Sequence, residues 1–532
     1  MAVENEETPL LTSDAASEER IYRTQSKDVD ANIVDFNIEH DPDNPQDWSP
    51  KYKWTVTALL AFMAFSTTFT CIGVVPVADR IVRDLTPDHT SDKSAAVLLV
   101  TIWELGEAAG PLLIGPLSEI HGRFKVLNVC NVLFVATTLM AALSQTTTLF
   151  IAARALTGVS VVANVLGPAI VADIFIPEQR GGAMSLIMLA PLTGGALGPA
   201  VAGAMSETWG WRSVVWLSAL AMTVCTICVF LVYRETYKVV ILRRRAAHLR
   251  EVTGNTSLRT PYDAGLESLT TSVLRPFVVY FHSPYIILIS FFAGATFTWF
   301  YIMSTTLPEI LEHLYHLTPA QIGSSFITFS VGSLTAVILC QLTLDRIYIY
   351  LRDRPLRKYE QDQRARPQGA QSASKPPKIK NYPHHRLPPI ILGALFMPVF
   401  ICFYGLLPAG LSFKPGHGPA PLPLELGNVA VMGFFLLFSY LPVLPYITEL
   451  APLYAASAMT SVIVVRCLFG TFLPLAVGPM VQRYGWARAF LGLAVVGVAM
   501  AGIPTGLWIW GEYRQGKEER RAREQEEVET AH

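Results

Sequence analysis

Apolar residues occur in long runs along this chain, and short polar segments separate them. A helix needs about 20 apolar residues to cross a hydrocarbon core ~30 Å thick. Because backbone polar groups in lipid must be paired within their own segment, such runs predict transmembrane helices. Twelve runs qualify, and we number them as spans 1 to 12. The predicted spans are residues 54–77, 95–116, 126–143, 149–173, 183–205, 214–233, 284–307, 322–344, 389–407, 424–447, 455–480 and 487–510.

A polar segment after span 6 divides the spans six and six, as expected for two related helix bundles around a site near the bilayer midplane. The predicted fold class is an all-α polytopic membrane protein with twelve transmembrane helices in two six-helix bundles. The predicted organisation is a disordered cytosolic tail (1–50), an N-terminal bundle (51–235), a cytosolic central linker (236–280), a C-terminal bundle (281–512) with a basic cytosolic loop (345–388), and a cytosolic tail (513–532).

The basic residues of the loops predict the orientation. Arginines crowd the segments after spans 6 and 8, whereas residues 307–321 contain no lysine or arginine. Loops rich in Lys and Arg stay in the cytosol, so both termini are expected there. The plasma membrane is the expected location. The vacuolar membrane is the alternative, because Glu6 and the pair Leu10-Leu11 resemble an acidic dileucine sorting signal.

Composition agrees with a membrane protein and excludes several classes of function. Charged residues make up 16% of the chain, against roughly 25% in soluble domains. The formal net charge of −1 provides no basic field for nucleic acid. All seven cysteines lie in apolar runs, which argues against a disulfide framework or a zinc site in the loops. The histidines form no ligand cluster in the sequence, so we predict neither a metal site nor a catalytic site.

Four charged residues lie inside the predicted spans, where a charge is costly and marks an ion or substrate path by default. Glu104 and Glu107 stand three residues apart in span 2 and therefore share a helix face. Arg154 lies in the outer half of span 4, and Arg466 lies near the middle of span 11. We predict that Glu104, together with Glu107, carries a coupling proton that leaves when Arg154 approaches. The alternative is a purely structural set of ion pairs.

Polar and aromatic residues at membrane depth are candidates for lining a substrate cavity. For any one of the aromatic residues, the alternative is ordinary helix packing or a place in an interfacial belt. The candidates are Thr68, Asn164, Trp299, Tyr301, Gln341 and Tyr440.

The turn between spans 2 and 3 carries the most specific motif, formed by Gly115, Leu117, Glu119, Gly122, Arg123 and Lys125. Spacing alone also allows a solvated basic turn. The motif resembles the loop signature of the major facilitator superfamily, Gly-x-Leu-x-Asp-x-x-Gly-Arg-x-Lys/Arg, with Glu119 in place of the aspartate. The resemblance implies that Glu119 faces the N-terminus of span 11, where the helix dipole favours an acid. It also implies that Arg123 pairs with Asp173, and that both contacts close the cytosolic side.

Two further elements resemble the same superfamily. Arg154 and Gly158 match its Arg-x-x-x-Gly element, in which the arginine is tied to proton coupling. Span 5 resembles the antiporter element Gly-x-x-x-Gly-Pro-x-x-Gly-Gly, with Ala202 in the first closing glycine position. The matching residues are Gly194, Gly198, Pro199 and Gly203. A nucleotide-binding loop, the rival interpretation of this stretch, would need a preceding strand and a following lysine.

Motifs at and near the ends of spans narrow the resemblance to the fungal drug:proton antiporters with twelve spans. They comprise residues 41–49 before span 1, 235–237 and 243–246 after span 6, 386–389 before span 9 and 455–458 at the start of span 11. Residues 449–451 depart from the family's Asp-x-Tyr, which leaves the substrate range open.

The resemblance implies a secondary active transporter that works by alternating access in the lipid bilayer. It implies export of small organic molecules such as drugs, toxins or secondary metabolites in exchange for protons. No cofactor is expected besides the proton gradient, and the protein is expected to be a monomer and not an enzyme. Transport of a polar solute such as a polyamine or an organic acid is one alternative, and a non-transporting membrane sensor is another.

Overall fold

A computed structural model describes residues 32–37, 40–87, 92–176, 179–262, 269–364, 381–411, 418–451 and 454–531. The described chain is helical throughout, apart from turns and one isolated bridge between Ile33 and Arg259. Eleven of its helical segments are long and apolar enough to cross a membrane. The last of them contains two helices that meet at Gly485, where the backbone is not helical. The predicted dileucine signal at Leu10-Leu11 lies outside the described residues.

The structure confirms the all-helical fold class. Spans 1 to 10 are Pro50–Ile72, Lys93–His121, Arg123–Ala142, Thr147–Val159 with Ala163–Ile174, Arg180–Trp209, Trp211–Val232, Pro284–His313, Pro319–Arg352, Leu387–Leu406, and Leu422–Tyr440 with Val443–Leu450. Spans 11 and 12 are the parts of Ala455–Ala531 before and after Gly485. We call the end of the bundles that carries the segments after spans 6 and 8 the basic side, and the opposite end the bare side.

Three tight turns between spans depend on glycine. Gly122 joins spans 2 and 3, Gly210 joins spans 5 and 6, and Gly485 joins spans 11 and 12, with φ values of 96°, 76° and 75°. Residues with a Cβ rarely adopt such positive φ values. The corresponding turn between spans 8 and 9 is instead replaced by the long basic loop. The turns at Gly210 and Gly485 thus occupy related positions in the two bundles.

Spans 4 and 10 are each interrupted, although the sequence predicts both as continuous. Span 4 breaks between Val159 and Ala163, and span 10 breaks between Tyr440 and Val443, where Pro442 cannot continue the helix. Asn164 stands in the first turn after one break, and Tyr440 is the last residue before the other. The breaks therefore place polar side chains at membrane depth.

Four segments outside the predicted spans contain ordered structure. The central linker contains the helices Lys238–Thr253 and Leu269–His282, and the basic loop contains the helix Arg354–Arg364. Span 12 continues as a helix to Ala531, well beyond the apolar run. In the described part of the tail 1–50, Asp41 is only 2% exposed.

Asp41 anchors the tail to the linker helix. Its carboxylate lies 2.5 Å from the Arg245 guanidinium and accepts hydrogen bonds from the backbone N–H groups of Asn37 and Asp43. Burial alone would raise the pKa of Asp41, but the Arg245 guanidinium and the two backbone donors hold the pKa below its usual value. A lowered pKa stabilises the folded state above the unfolded pKa of about 3.9, and this contribution is lost as the pH falls through the lower folded value.

We expect Asp41→Asn to destabilise the protein by about 1–3 kcal/mol at pH 7, because the buried charge-assisted hydrogen bonds are lost. Thermal unfolding of the purified protein, followed from pH 7 to below pH 4, measures this. The difference from the wild type should be constant above about pH 5 and should shrink below about pH 4. Asp43→Asn, an exposed neighbour, is the control. A difference that grows on acidification would contradict the assigned role of Asp41.

Polar contacts on the bare side join the two bundles. Lys93 of span 2 forms an ion pair with Glu309 of span 7. Glu207 of span 5 accepts a hydrogen bond of 2.9 Å from the backbone N–H of Ala320, in the first turn of span 8. Spans 2 and 5 thus contact spans 7 and 8 at the end of the molecule away from the basic loops.

Candidate functional site

Two carboxylates and one guanidinium meet at membrane depth. Nη2 of Arg466 lies 3.3 Å from Oε1 of Glu107 and 3.7 Å from Oε2 of Glu104. All three side chains are buried or nearly so. We call Glu104, Glu107 and Arg466 the charge cluster. It joins span 2 of the N-terminal bundle to span 11 of the C-terminal bundle.

Neutral donors complete the surroundings of the two acids. Tyr301 of span 7 donates a hydrogen bond of 2.5 Å to Oε1 of Glu104. Asn164 donates one of 2.9 Å to Oε1 of Glu107, and the indole N–H of Trp103 donates one of 3.2 Å to Oε2 of the same residue. Glu107 is held mainly by its own bundle, whereas Glu104 is held by the opposite bundle.

Arg154 is occupied elsewhere in this structure. Its guanidinium donates to the backbone carbonyls of Thr70 and Cys71 at 2.9 and 2.8 Å, and its Nε donates to that of Leu99 at 3.4 Å. Thr70 and Cys71 end span 1, where carbonyls have no partner within the helix. The sequence-based interpretation of Arg154 as the partner of the acids therefore differs from the structure, in which Arg466 takes that position.

The charge cluster leaves some of its hydrogen-bonding capacity unused. Among the described residues, Oε2 of Glu104 and Nε of Arg466 are buried without a hydrogen-bond partner. A buried polar atom without a partner costs about 1–3 kcal/mol. A site that leaves both an acceptor and a donor unused is able to accept a proton or a polar ligand.

The cavity candidates differ in how close they lie to the charge cluster. Asn164 and Tyr301 contact the charge cluster. The ring of Tyr440 packs at a tilt against Phe297, with centroids 5.1 Å apart, and the Phe297 ring lies 4.4 Å from the Arg466 guanidinium. Trp299 is buried in the core, Thr68 packs against Gly194 and Gly195 of span 5, and Gln341 is exposed. Phe297 is a neighbour of the cluster that the sequence analysis missed.

The facilitator-like turn forms an ion pair on the basic side. Nε of Arg123 lies 3.4 Å from Oδ2 of Asp173 at the end of span 4, and its guanidinium also donates to Ser118. Thr236 donates to the same Asp173 oxygen, and Tyr237 lies 4.7 Å from the Arg123 guanidinium. The structure thus brings together Arg123 and Asp173, which the sequence analysis expected to pair.

Glu235 explains why the turn needs a glycine. Its carboxylate accepts hydrogen bonds from the backbone N–H groups of Arg123 and Phe124, and so caps span 3. A Cβ at Gly122 would overlap with this carboxylate. Gly115 has open space around it, Leu117 is half-buried, and Glu119 and Lys125 are exposed. The expected contact of Glu119 with span 11 stays a prediction.

A second ion-pair group stands at the related position of the C-terminal bundle. Arg386, just before span 9, contacts Asp345 of span 8 at 2.7 Å and Glu449 of span 10 at 2.9 Å. Its guanidinium also lies 4.0 Å from the ring of Tyr348. Span 9 corresponds to span 3 and span 10 to span 4, so Arg386 and Glu449 repeat the arrangement of Arg123 and Asp173. The long basic loop separates Asp345 from Arg386 in sequence but not in space.

Comparison with known proteins identifies the family. The sequence profile described as Major Facilitator Superfamily matches residues 56–358. The chain belongs to the Major Facilitator Superfamily. The efflux pump radE of Floropilus chiversii is 31% identical over 517 residues, which cover 96% of this chain and 89% of radE. The MFS-type transporter penM of Penicillium rubens is 30% identical over 511 residues, which cover 95% of this chain and 92% of penM.

Solved structures of the superfamily share the fold. The peptide transporter POT in complex with sulfate superposes with a TM-score of 0.60 at 16% identity, covering 91% of this chain and 98% of POT. The inward-open conformation of the xylose transporter XylE from E. coli gives a TM-score of 0.59 at 17% identity, covering 85% of this chain and 95% of XylE. The protein is therefore a multi-pass membrane transporter of the facilitator fold, and its relatives are transporters and not enzymes.

The antiporter-like element of span 5 contacts spans 1 and 8. A Cβ at Gly194 or Gly198 would crowd the backbone of span 1, and one at Gly203 would overlap with the carbonyl of Pro319 in span 8. The packing is mutual, because a Cβ at Gly323 would overlap with the carbonyl of Pro199. Small residues thus allow the two bundles of this facilitator to approach closely on the bare side.

Glu425 is a membrane-depth acid that the sequence analysis missed. It lies in the first turn of span 10 and is fully buried, and within the described chain neither of its carboxylate oxygens has a hydrogen-bond partner. The rule that singled out Glu104 applies equally to an acid inside the predicted span 424–447. The signal was therefore available in the sequence.

We expect that Arg123→Ala and Asp173→Ala each lower the transport rate by about tenfold, because each leaves a partly buried charge without its partner. The exchanged variant Arg123→Asp with Asp173→Arg should recover only part of the rate, since Ser118 and Thr236 also bind the native pair. Initial rates in proteoliposomes measure this. Arg346→Ala, which removes an exposed arginine at the basic end of span 8, is the control. Fully additive losses in the exchanged variant would argue against direct pairing.

Proposed function

We propose that this protein exports small organic molecules in exchange for protons, and that the charge cluster couples the two movements. The observation that carries the proposal is that two buried carboxylates share one guanidinium across the boundary between the bundles. Charged groups at membrane depth mark ion paths by default. The name of the relative radE, an efflux pump, supports export as the direction of transport.

The charge cluster contains two acids and one arginine, and this imbalance favours a proton-binding role over a purely structural one. Arg154 is bound by carbonyls at the end of span 1. These carbonyls carry the negative end of the helix dipole and neutralise part of its charge. Glu104 and Glu107 are then left with Arg466 as their shared ion-pair partner. When both acids are ionised, the cluster carries an excess of one negative charge, which a single proton cancels.

Proton binding would loosen the contact between the bundles. Glu104 contacts Arg466 and Tyr301, both of which belong to the C-terminal bundle. Neutralising Glu104 removes its attraction to Arg466 and so favours separation of spans 2 and 11 at this level. Alternating access requires such contacts to form and break as the two bundles rock around the central site. The protonated and unprotonated acids would thus favour different states of the transporter.

The surroundings of the cluster suit an amphipathic organic substrate. Phe297, Tyr301 and Tyr440 offer aromatic surface next to the Arg466 guanidinium, and Asn164 offers an amide. Such sites combine apolar walls with a few placed polar groups. We propose the plasma membrane as the location of this exporter. We assign its basic side to the cytosol, because cytosolic loops are rich in Lys and Arg.

Metabolite profiling followed by flux measurement tests the proposed function. Cells lacking the protein should retain compounds that the wild type releases, and purified protein in liposomes should move those compounds against their gradient when a pH gradient is imposed. Unchanged profiles would contradict export. Flux of the same rate and extent with and without the pH gradient would contradict proton coupling but would still agree with transport.

Labelling of tags inserted in residues 307–321 and 365–380 tests the orientation. In intact cells, only the tag in residues 307–321 is expected to react.

A further inference from the structure

Three side chains of types that bind metal ions meet on the basic side, far from the charge cluster. His384 and His385 lie in the short helix Pro383–Arg386 before span 9, and Glu512 lies on the extension of span 12. One possible ligand atom from each residue lies within 4.8 Å of the other two. Nε2 of His384 is 3.7 Å from Oε1 of Glu512. The sequence analysis expected no ligand cluster among the histidines, whereas the structure brings this pair together with Glu512.

The two imidazoles are buried, and one of their ring nitrogens has unused coordinating capacity. His384 is 7% exposed and His385 is 3% exposed, and Nδ1 of His385 has no hydrogen-bond partner among the described residues. A Cβ at Gly511 would lie 2.6 Å from the His384 ring, so the glycine before Glu512 makes room for the imidazole. The rings of these two neighbouring histidines lie 4.6 Å apart, measured between their centroids.

We propose that His384, His385 and Glu512 bind one divalent transition-metal cation of the zinc type. Oε1 of Gln515, which lies 3.0 Å from Nε2 of His384, is placed to act as a fourth ligand once that nitrogen is unprotonated and bound to the ion. Imidazole nitrogens and a carboxylate are ligands that Zn²⁺ and its neighbours in the first transition row prefer. Mg²⁺ prefers octahedral oxygen ligands and retains water, so it should bind far more weakly.

The position of the site indicates how a bound ion would affect the structure. The ion would tie the start of span 9 to the helix that continues from span 12. His385 directly precedes Arg386, whose guanidinium holds Asp345 and Glu449. A bound ion would therefore fix the backbone that positions this second ion-pair group.

Metal binding to the purified full-length protein in detergent tests the proposal. After removal of metal with a chelator and dialysis against Zn²⁺, mass spectrometry of the metal content should give about one equivalent per chain. Titration with Zn²⁺ should raise the unfolding temperature, whereas Mg²⁺ at the same concentration should not. Co²⁺ in place of Zn²⁺ should give visible absorption bands, which depend on direct coordination and not on protein stability. A wild type that retains no stoichiometric Zn²⁺ overturns the proposal.

Variants at the least buried ligand separate coordination from folding. Glu512→Gln should weaken Zn²⁺ binding by at least about tenfold and remove the Co²⁺ bands, because a carboxylate ligand becomes a neutral amide. Its unfolding temperature without metal should stay close to that of the wild type. Glu518→Gln, on the same helix but outside the trio, is the matched control and should bind like the wild type. Equal Zn²⁺ affinity in the two variants would overturn the assigned ligand set.

Discussion

Glu104→Gln is expected to abolish the accumulation of substrate against its gradient while leaving downhill exchange intact. The amide oxygen can still accept the hydrogen bond from Tyr301, which is 2.5 Å long in the structure, so the fold should be preserved. The amide cannot bind or release a proton in the working pH range, and its attraction to Arg466 no longer changes through the cycle. The variant should therefore transport without coupling.

The size of the effect follows from the free energy of the proton gradient. One pH unit corresponds to about 1.4 kcal/mol per proton, which supports about tenfold accumulation when one proton is exchanged for one substrate molecule. Glu104→Gln should lower that ratio to about one. Glu107→Gln should lower it less, since Glu107 is also held by Asn164 and Trp103. The two acids interact closely, so their titration is a property of the pair and not of one residue.

Flux of a substrate found by profiling, measured in proteoliposomes with and without an imposed pH gradient, decides the matter. Glu312→Gln, an exposed acid on the bare side, is the matched control and should accumulate substrate like the wild type. If Glu104→Gln, Glu107→Gln and the double variant all reach wild-type accumulation, the cluster is structural. Glu425, a buried acid without a partner in the described chain, would then be the next candidate for the proton.

Sequence reasoning found the membrane-spanning pattern because it depends on local composition. Runs of about 20 apolar residues reveal a span without reference to any other part of the chain. The same logic found Glu104 and Glu107, since both are charged residues inside one apolar run. It would also have found Glu425. The breaks in spans 4 and 10 could not be predicted from the sequence, because glycine and proline occur in both continuous and broken transmembrane helices.

The pairing of charges depends on packing between distant segments and was predicted less well. Arg466 and Glu107 are 359 positions apart, and two arginines lay at a suitable depth to meet the acids. The sequence analysis chose Arg154, whose guanidinium is instead used by the carbonyls that end span 1. Those carbonyls need a hydrogen-bond donor, but this need cannot be recognised until the end of span 1 has been located. His384 and Gln515 are likewise 131 positions apart, so their contact was invisible in sequence.

Arg466→Ala is expected to destabilise the protein by about 3–5 kcal/mol and to stop coupled transport. Removing one partner from a buried ion pair leaves the other charge without compensation. Here two carboxylates at 3.3 and 3.7 Å lose the same partner. The unfolding temperature in detergent should fall by several degrees, because a change of 1 kcal/mol shifts it by about 2–4 °C even in a domain of 150–250 residues. Arg488→Ala, an exposed arginine of span 12, should change neither property.

Combining Arg466→Ala with the neutralised acids separates stability from coupling. Adding Glu107→Gln removes the carboxylate nearest to Arg466, and should recover a large part of the lost stability, so the two changes should be strongly non-additive. Transport against a gradient should stay absent, since the group that competes with the proton is missing. Arg466→Lys should keep most of the stability but couple poorly, because one ammonium cannot replace a planar guanidinium that reaches both acids. Additive losses of stability in Arg466→Ala with Glu107→Gln would show that the 3.3 Å contact contributes little. Normal coupling in Arg466→Ala would remove this residue from the proposed mechanism.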